Sequence, residues 1–454
     1  MEYRDFLAAK KTKDVATGIS VDGPLHDSLF SFQRDIVRWS LRRGRCAEFA
    51  DCGLGKTLMQ LVWAQHVPGK VLILAPLAVS SQTVAEGVKF GIEVKSCRQQ
   101  SDATAKINIA NYEILEKFDP HKFDAVVLDE SSILKSYSGK YRNLIIDYFK
   151  NSPFRLACTA TPAPNDFMEL GNHAEFIGAM TRTEMLSMFF VHDGGETSKW
   201  RLKGHANRPF WEWLCSWAVN IRKPSDLGYS DDGFVLPEMK MFQHTVKRGQ
   251  APEGFLFNVE AMTLQERQQE RKATVIDRCE KAAEIAPTDR QFLLWCNLND
   301  ESETLTKMIP GAVEVRGSHS PQYKEEALLG FARGDVRVLV TKPSIAGFGM
   351  NWQNCSDMAF VGLSDSYEQF YQAVRRCWRF GQKKPVNVHV ITAETEGAVV
   401  RNIERKESDA MRMADEMIEH MRDITSEEIK STQRSFTDYN ADIKMALPEW
   451  MVSV

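Results

Sequence analysis

Long apolar runs are missing from this chain. No stretch approaches the ~20 consecutive apolar residues of a membrane-spanning helix, so no membrane partner is expected. The opening residues, MEYRDFLAAK, carry acidic groups and lack the apolar core of a signal peptide, which points to the cytoplasm. Paired cysteines are missing too. The nine cysteines stand at positions 46, 52, 97, 158, 215, 279, 296, 355 and 377, with no Cys-x-x-Cys spacing among them. That excludes a zinc ribbon or a dithiol redox motif and suits free thiols in a reducing compartment. Nor does one sign of charge dominate: 57 Lys and Arg against 61 Asp and Glu leave a net charge of −4. A sponge for nucleic acid is thereby excluded, whereas a local basic groove is not.

What is present is an ordinary globular composition, 43% hydrophobic and 26% charged, in a chain long enough for about three folding units. Short apolar runs alternate with longer helical patterns. The strand candidates are Cys46–Ala50, Val71–Ala75, Ile107–Ala110, Ala125–Leu128 and Phe154–Cys158, then Phe292–Cys296, Val313–Val315, Val336–Val340, Met358–Val361 and Val386–Ile391. Strands separated by helices imply parallel sheets joined by right-handed crossovers. The alternation in VNVHVI (386–391) places that strand near a sheet edge. Two such α/β blocks, roughly 25–170 and 280–400, flank a stretch of different character with Trp200, Trp211, Trp213 and Trp217 and loop signals such as HDGGETSK. The tryptophans read as helix core, and Lys199–Lys203 (KWRLK) as a phosphate-contacting run. The charged helical pattern after residue 396 is expected to pack on the second block. The divisions expected are 1–170 for the first lobe, 171–280 for a mainly helical linker insertion, 281–400 for the second lobe and 401–454 for a helical tail.

Ala50–Thr57 reads ADCGLGKT, the A/G-x4-GK-[ST] form of a phosphate-binding loop. Gly53 and Gly55 let the backbone wrap oxygens closely, and the following helix N-terminus faces the same oxygens. Lys56 would reach the outer phosphates of ATP, and Thr57 would hold magnesium through its hydroxyl. Downstream, the apolar run from Ala125 ends in Asp129-Glu130. Ligands bind outside the carboxyl ends of parallel strands, so Asp129 would hold magnesium through a water and Glu130 would polarise the attacking water.

With these motifs in place, the order of the rest resembles the superfamily-two helicases and, within them, the Swi/Snf-like translocases. Phe32-Gln33 is similar to the adenine-recognising glutamine motif, Ala75-Pro76-Leu77 to motif Ia, and Asn111-Tyr112-Glu113 to the T-Y-E segment. Asp129–Ser132 with Lys135 resembles motif II, and Thr159–Pro162 with Asn165 resembles motif III. In the second block, Gly347–Trp352 (GFGMNW) looks like motif V and Gln372–Gln382 (QAVRRCWRFGQ) like motif VI. The segment Trp217–Met239 is similar to a linker in small phage and prophage helicases, whose setting would be the host cytoplasm. Three positions depart from the family pattern: Ser132 replaces the usual His or Asp, Arg375 stands where Gly is usual, and Cys52 lies inside the phosphate loop.

The resemblance implies an α/β fold of two tandem RecA-like P-loop domains with parallel sheets, a mainly helical middle segment and a C-terminal helix. It implies ATP hydrolysis with magnesium across a two-lobe cleft. Lys56, Asp129 and Glu130 would serve from the first lobe. Arg379 as arginine finger and Arg376 as companion would serve from the second, spaced so that on a helix they share a face. Gln33, Gly53, Gly55, Lys56, Thr57 and Gln372 would bind ATP, and Thr159, Thr161, Gly349 and Asn351 would couple it to the track or touch it. The track implied is DNA, duplex favoured over RNA. The alternatives are a strand-separating RNA or DNA helicase, or the motor subunit of a restriction or defence system with a separate partner such as a nuclease or replication factor. No β-hairpin wedge is legible, because Asp232-Gly233 is followed by Pro237, which weakens a strand. Translocation rather than unwinding is therefore the expectation.

Overall fold

The computed structural model describes residues 16–135, 139–163, 166–193, 196–247, 269, 271–346, 350–364 and 366–430. Two parallel sheets dominate it. The first runs β3 (Val94–Ser96), β4 (Ile107–Asn111), β2 (Val71–Ala75), β5 (Ala125–Asp129), β6 (Phe154–Thr159), β1 (Arg45–Ala50) and β9 (Ala218–Ile221). The central strands β2, β5 and β6 are largely apolar and buried on both faces, as a helix-covered parallel sheet requires. The second sheet runs β10 (Met239–Val246), β15 (Val386–Ala393), β14 (Asp357–Val361), β11 (Phe292–Cys296), β13 (Val338–Thr341) and β12 (Ala312–Val315).

Register in the first sheet positions the site. Asp129 pairs with Cys158 across β5 and β6, and Phe49 pairs with Thr159 across β1 and β6. The carboxyl ends of β1, β6 and β5 therefore stand side by side, about 5 Å apart per strand. The phosphate loop, Thr159–Thr161 and Asp129-Glu130 emerge from three neighbouring strands.

The middle of the chain differs from expectation. Residues 171–280 are not merely a helical insertion: they give β9 to the edge of the first sheet and β10 to the edge of the second. With β10 outside it, the alternating strand β15 is second from the edge. A hairpin also exists where no wedge was expected. β7 (Phe190–Asp193) pairs antiparallel with β8 (Glu196–Leu202). Asp193-Gly194-Gly195 is the turn composition such a hairpin favours; Gly194 and Gly195 lie outside the described residues. The tryptophans behave as core: Trp211 and Trp217 are buried and Trp213 packs against the same cluster.

The terminal helix, Gly397–Lys430, also departs from expectation. Val399 and Ile403 sit in the second lobe's core. Met417 and Met421 sit in the first lobe's core. Arg222 Nη1 donates to Asp415 Oδ1 at 2.6 Å, and Trp211 stacks on His420 with ring centres 5.2 Å apart. One helix thus packs on both lobes. Beneath it a cavity of about 340 Å³ lies between Thr161 of the first lobe and Tyr371 of the second. Among the described residues, no helix is long and apolar enough to cross a membrane.

Candidate nucleotide site between the lobes

The phosphate loop leaves β1 and ends in the helix Lys56–His66. Gly53 and Gly55 have φ values of 91° and 78°, which favour glycine. Each is also crowded. A Cβ on Gly55 would lie 2.3 Å from Gln33 Nε2, and one on Gly53 would lie 2.9 Å from the backbone nitrogen of Phe380, in the opposite lobe. Gln33 holds the loop: its Nε2 donates to the Leu54 carbonyl at 2.7 Å and its Oε1 accepts from Phe30 N at 2.9 Å. Lys56 Nζ donates to the Ala50 carbonyl at 2.7 Å and the Asp51 carbonyl at 3.3 Å, so it folds back into the loop's mouth. Thr57 is the second residue of the helix.

Asp129 ends β5 and is buried. Its Oδ1 accepts from Gln60 Nε2 at 2.9 Å and from Glu130 N at 3.1 Å. Tyr112, in the T-Y-E segment, donates its hydroxyl to the Asp129 carbonyl at 2.8 Å. Glu130 has φ 54°, the only positive value at a non-glycine among the described residues. Such a conformation persists only when its surroundings impose it, and it clusters at functional sites. Burial raises both acids above the usual carboxylate range. At Glu130, Lys56 opposes that rise, Asp129 adds to it, and Arg376 opposes it from the second lobe. Glu130 Oε2 is buried with no protein partner.

The second lobe brings Gln372, Arg376 and Arg379 to this cleft. The helix stops at Val374, so both arginines lie in the turns after it rather than on a shared helix face. Arg376 Nε donates to the Gln372 carbonyl at 2.9 Å, and Nη1 of each arginine approaches the Met350 carbonyl at 3.4 Å. Burial, then repulsion from Arg376, pulls Arg379 down to about 10, while Cys52 and Glu86 of the first lobe oppose the shift. A cation so placed gains from a new anion.

Thr159 accepts from Thr161 N at 3.1 Å through its hydroxyl, a turn-capping bond. Thr161 Oγ1, Asn351 Oδ1 and Gln372 Oε1 are buried with no protein partner. Gly349 and Asn165 lie outside the described residues.

Sequence reasoning missed several groups here. Phe30, Phe234 and Phe380 form one aromatic patch beside Gln33, with ring centres 4.9 to 6.3 Å apart. They come from three distant segments, so no local pattern could reveal them. Ser131 Oγ lies 3.1 Å from His173 Nε2, so a buried histidine from another helix stands behind the motif in which Ser132 replaces the usual residue. Lys135 pairs with Glu368 across the cleft.

The residues present suit magnesium–ATP. Among the described residues no three His, Cys, Asp or Glu side chains cluster as a metal cage. Thr57, Asp129 and phosphate oxygens match magnesium's habit of taking few protein ligands. The unpartnered Glu130 oxygen leaves an acceptor for a water.

Two family models match the chain: the helicase conserved C-terminal domain over residues 271–381 and the type III restriction enzyme, res subunit, over residues 42–164. Each covers about a quarter of it, and together they take in the phosphate loop, motifs Ia to III and V, and all of motif VI but its last residue. The SWI/SNF-related matrix-associated actin-dependent regulator of chromatin subfamily A-like protein 1 of Xenopus tropicalis is 23% identical over 422 residues, 82% of this chain and 43% of its own. The chain is similar to the superfamily-two helicases, in their Swi/Snf-like branch. The DNA annealing helicase and endonuclease ZRANB3 of Bos taurus is 25% identical over 209 residues, 40% of this chain and 20% of its own. The chain spans less than half the length of these curated relatives. In fold it is similar to S. cerevisiae Dbp5 bound to RNA and ADP BeF3, with a TM-score of 0.55, 10% identity, and coverage of 86% of this chain and 93% of that one. Its two sheets thus share the fold of the paired RecA-like lobes of that structure.

Proposed function

We propose that the protein hydrolyses ATP in the cleft and uses the cycle to move along duplex DNA. One observation carries the reading: the phosphate loop and Asp129-Glu130 belong to one lobe, while Arg376 and Arg379 reach them from the other. Phosphoryl transfer needs positioning and charge neutralisation. Lys56 would hold the β- and γ-phosphates, Glu130 would orient water, and Arg379 would meet charge developing on the γ-phosphate. Thr57 and Asp129 would hold magnesium, which neutralises the phosphate oxygens. The arginines reach the phosphate only while the lobes are closed, so loss of the γ-phosphate favours reopening. Thr159, Thr161, Gly349 and Asn351 are the proposed link to the track. Nine cysteines free of disulfides suit a cytoplasmic setting.

Strand separation is a second reading, and the β7–β8 hairpin favours it, since it supplies the kind of element a wedge requires. The test is ATPase rate with no nucleic acid, single-stranded DNA, duplex DNA and RNA in parallel, beside triplex displacement and fork unwinding. Duplex stimulation at least equal to that by single strands, with triplex displacement, is expected. Fork unwinding without triplex displacement supports the second reading. Lys56→Ala should remove most turnover, and Glu130→Gln should bind ATP but hydrolyse it poorly. Near-normal rates in both variants would refute the site.

A further inference from the structure

Asp51 sits at the start of the phosphate loop, yet the second lobe grips its carboxylate. Its Oδ2 accepts from Arg375 Nη2 at 2.6 Å, and its Oδ1 accepts from the Tyr371 hydroxyl. The same Oδ1 accepts from Cys52 N at 2.6 Å, inside the loop. The side chains of Arg375 and Asp51 are 9% and 14% exposed. The Arg375 guanidinium also lies over the rings of Tyr371 and Trp378, 5.2 and 4.6 Å from their centres. A second cross-cleft pair, Lys135–Glu368, has its lysine 41% exposed and is the weaker kind of contact.

A charge pair buried this deeply is held by both partners, and removing one strands the other. Arg375 is adjacent to Arg376 and four residues before Arg379. Fixing its guanidinium on the loop therefore fixes the turn that carries both arginines. The bonds are made between protein atoms alone, so they bias the lobes toward closure without closing them irreversibly, and the nucleotide cycle works against that bias.

We propose that Asp51, Tyr371 and Arg375 form a nucleotide-independent latch across the cleft, with Asp51 and Arg375 as positioning residues that set the arginine pair against the phosphate loop. The proposal rests on the ATPase reading for its kinetic consequence but not for its structural one. With the latch intact, ATP meets an assembled cleft. Without it, part of the binding energy is diverted to closure and the apparent affinity falls.

The test uses the full chain with Arg375→Gly, Arg375→Lys, Asp51→Asn and the double variant Asp51→Asn/Arg375→Gly. Small-angle scattering without nucleotide reads lobe closure. The parent and Arg375→Lys should remain compact, and Arg375→Gly should expand. Kinetics with saturating DNA should show KM for ATP rising about tenfold in either Asp51→Asn or Arg375→Gly, with a smaller fall in kcat. The double variant should be no worse than the worse single one, because both remove one contact. Scattering of Arg375→Gly identical to the parent, or losses that multiply in the double variant, would overturn the latch. Scattering needs no turnover, so it reads the latch even if Lys56→Ala disproves the ATPase site.

Discussion

Glu48 lies on β1, two residues before the start of the phosphate loop, and plays no part in the proposed chemistry. It is buried, takes a hydrogen bond from Ser40 Oγ at 2.7 Å, and is pushed up to about 7, chiefly by burial. His173, buried behind motif II, is pulled down to about 4, again chiefly by burial. The two act on stability with opposite signs. Between about pH 4.5 and 7 the folded chain keeps a proton on Glu48 that the unfolded chain has lost, so this group's contribution falls as pH rises. Between about pH 6.5 and 4 the unfolded chain binds a proton at His173 that the folded chain refuses, so that contribution falls as pH drops. Glu48→Gln removes the first slope and exposes the second. Its urea midpoint should exceed the parent's at pH 8, by the equivalent of about 2–3 kcal/mol, and should decline more steeply below pH 6.5. Parallel pH profiles for the two proteins would show that Glu48 is not the buried acid described. Neither residue was legible in the sequence, because each acquires its environment from another segment. Lys56, Asp129 and Glu130 were legible because loop and strand end keep their chemistry within a few residues.

At the scale of elements, the second lobe is built around a buried pair. Arg278 Nη1 donates to Glu301 Oε1 at 2.6 Å and to the Val361 carbonyl at 3.0 Å, and both side chains are fully buried. The other Glu301 oxygen accepts from the backbone of Asn297 and Leu298 at 2.8 and 2.9 Å, capping the helix Asn299–Met308. Arg278→Met should cost about 3–5 kcal/mol, because Glu301 is left charged and uncompensated. Arg278→Met/Glu301→Gln should recover much of that in a denaturation midpoint; equal losses in the single and double variants would show that the pair is not coupled. The parallel strands were readable from their apolar runs, since burial on both faces leaves little room for polar residues. β3, β9 and β10 were not. β3 is three residues, VKS, β9 is four, AVNI, and β10 is largely exposed along its edge, so none carries a run of that kind. The hairpin escaped for a related reason: HDGGETSK reads as loop, and only pairing across it makes a β-ribbon.

For the whole molecule, the terminal helix matters most. At 34 residues it is about 50 Å long, enough to leave one lobe's core and enter the other's. Its charged helical pattern announced a helix but could not say which surfaces it would meet. Met421→Ser removes a buried contact on the first lobe and should release the far half of the helix. Hydrogen exchange of amides 411–425 should rise at least tenfold while the strands of both sheets keep their protection. Unchanged exchange there would mean that Met421 does not dock the helix.

Among the described residues the chain therefore crosses between its lobes twice, once through the segment linking β9 to β10 and once along this helix. A single tether would leave two bodies free to twist, tilt and slide. Two tethers at separate points remove most of those freedoms and leave rotation about the line joining them. The lobes are pinned like a door at two hinges. With such a constraint, each reopening in the proposed cycle would retrace the same arc, and a motor that repeats one arc would take steps of one size.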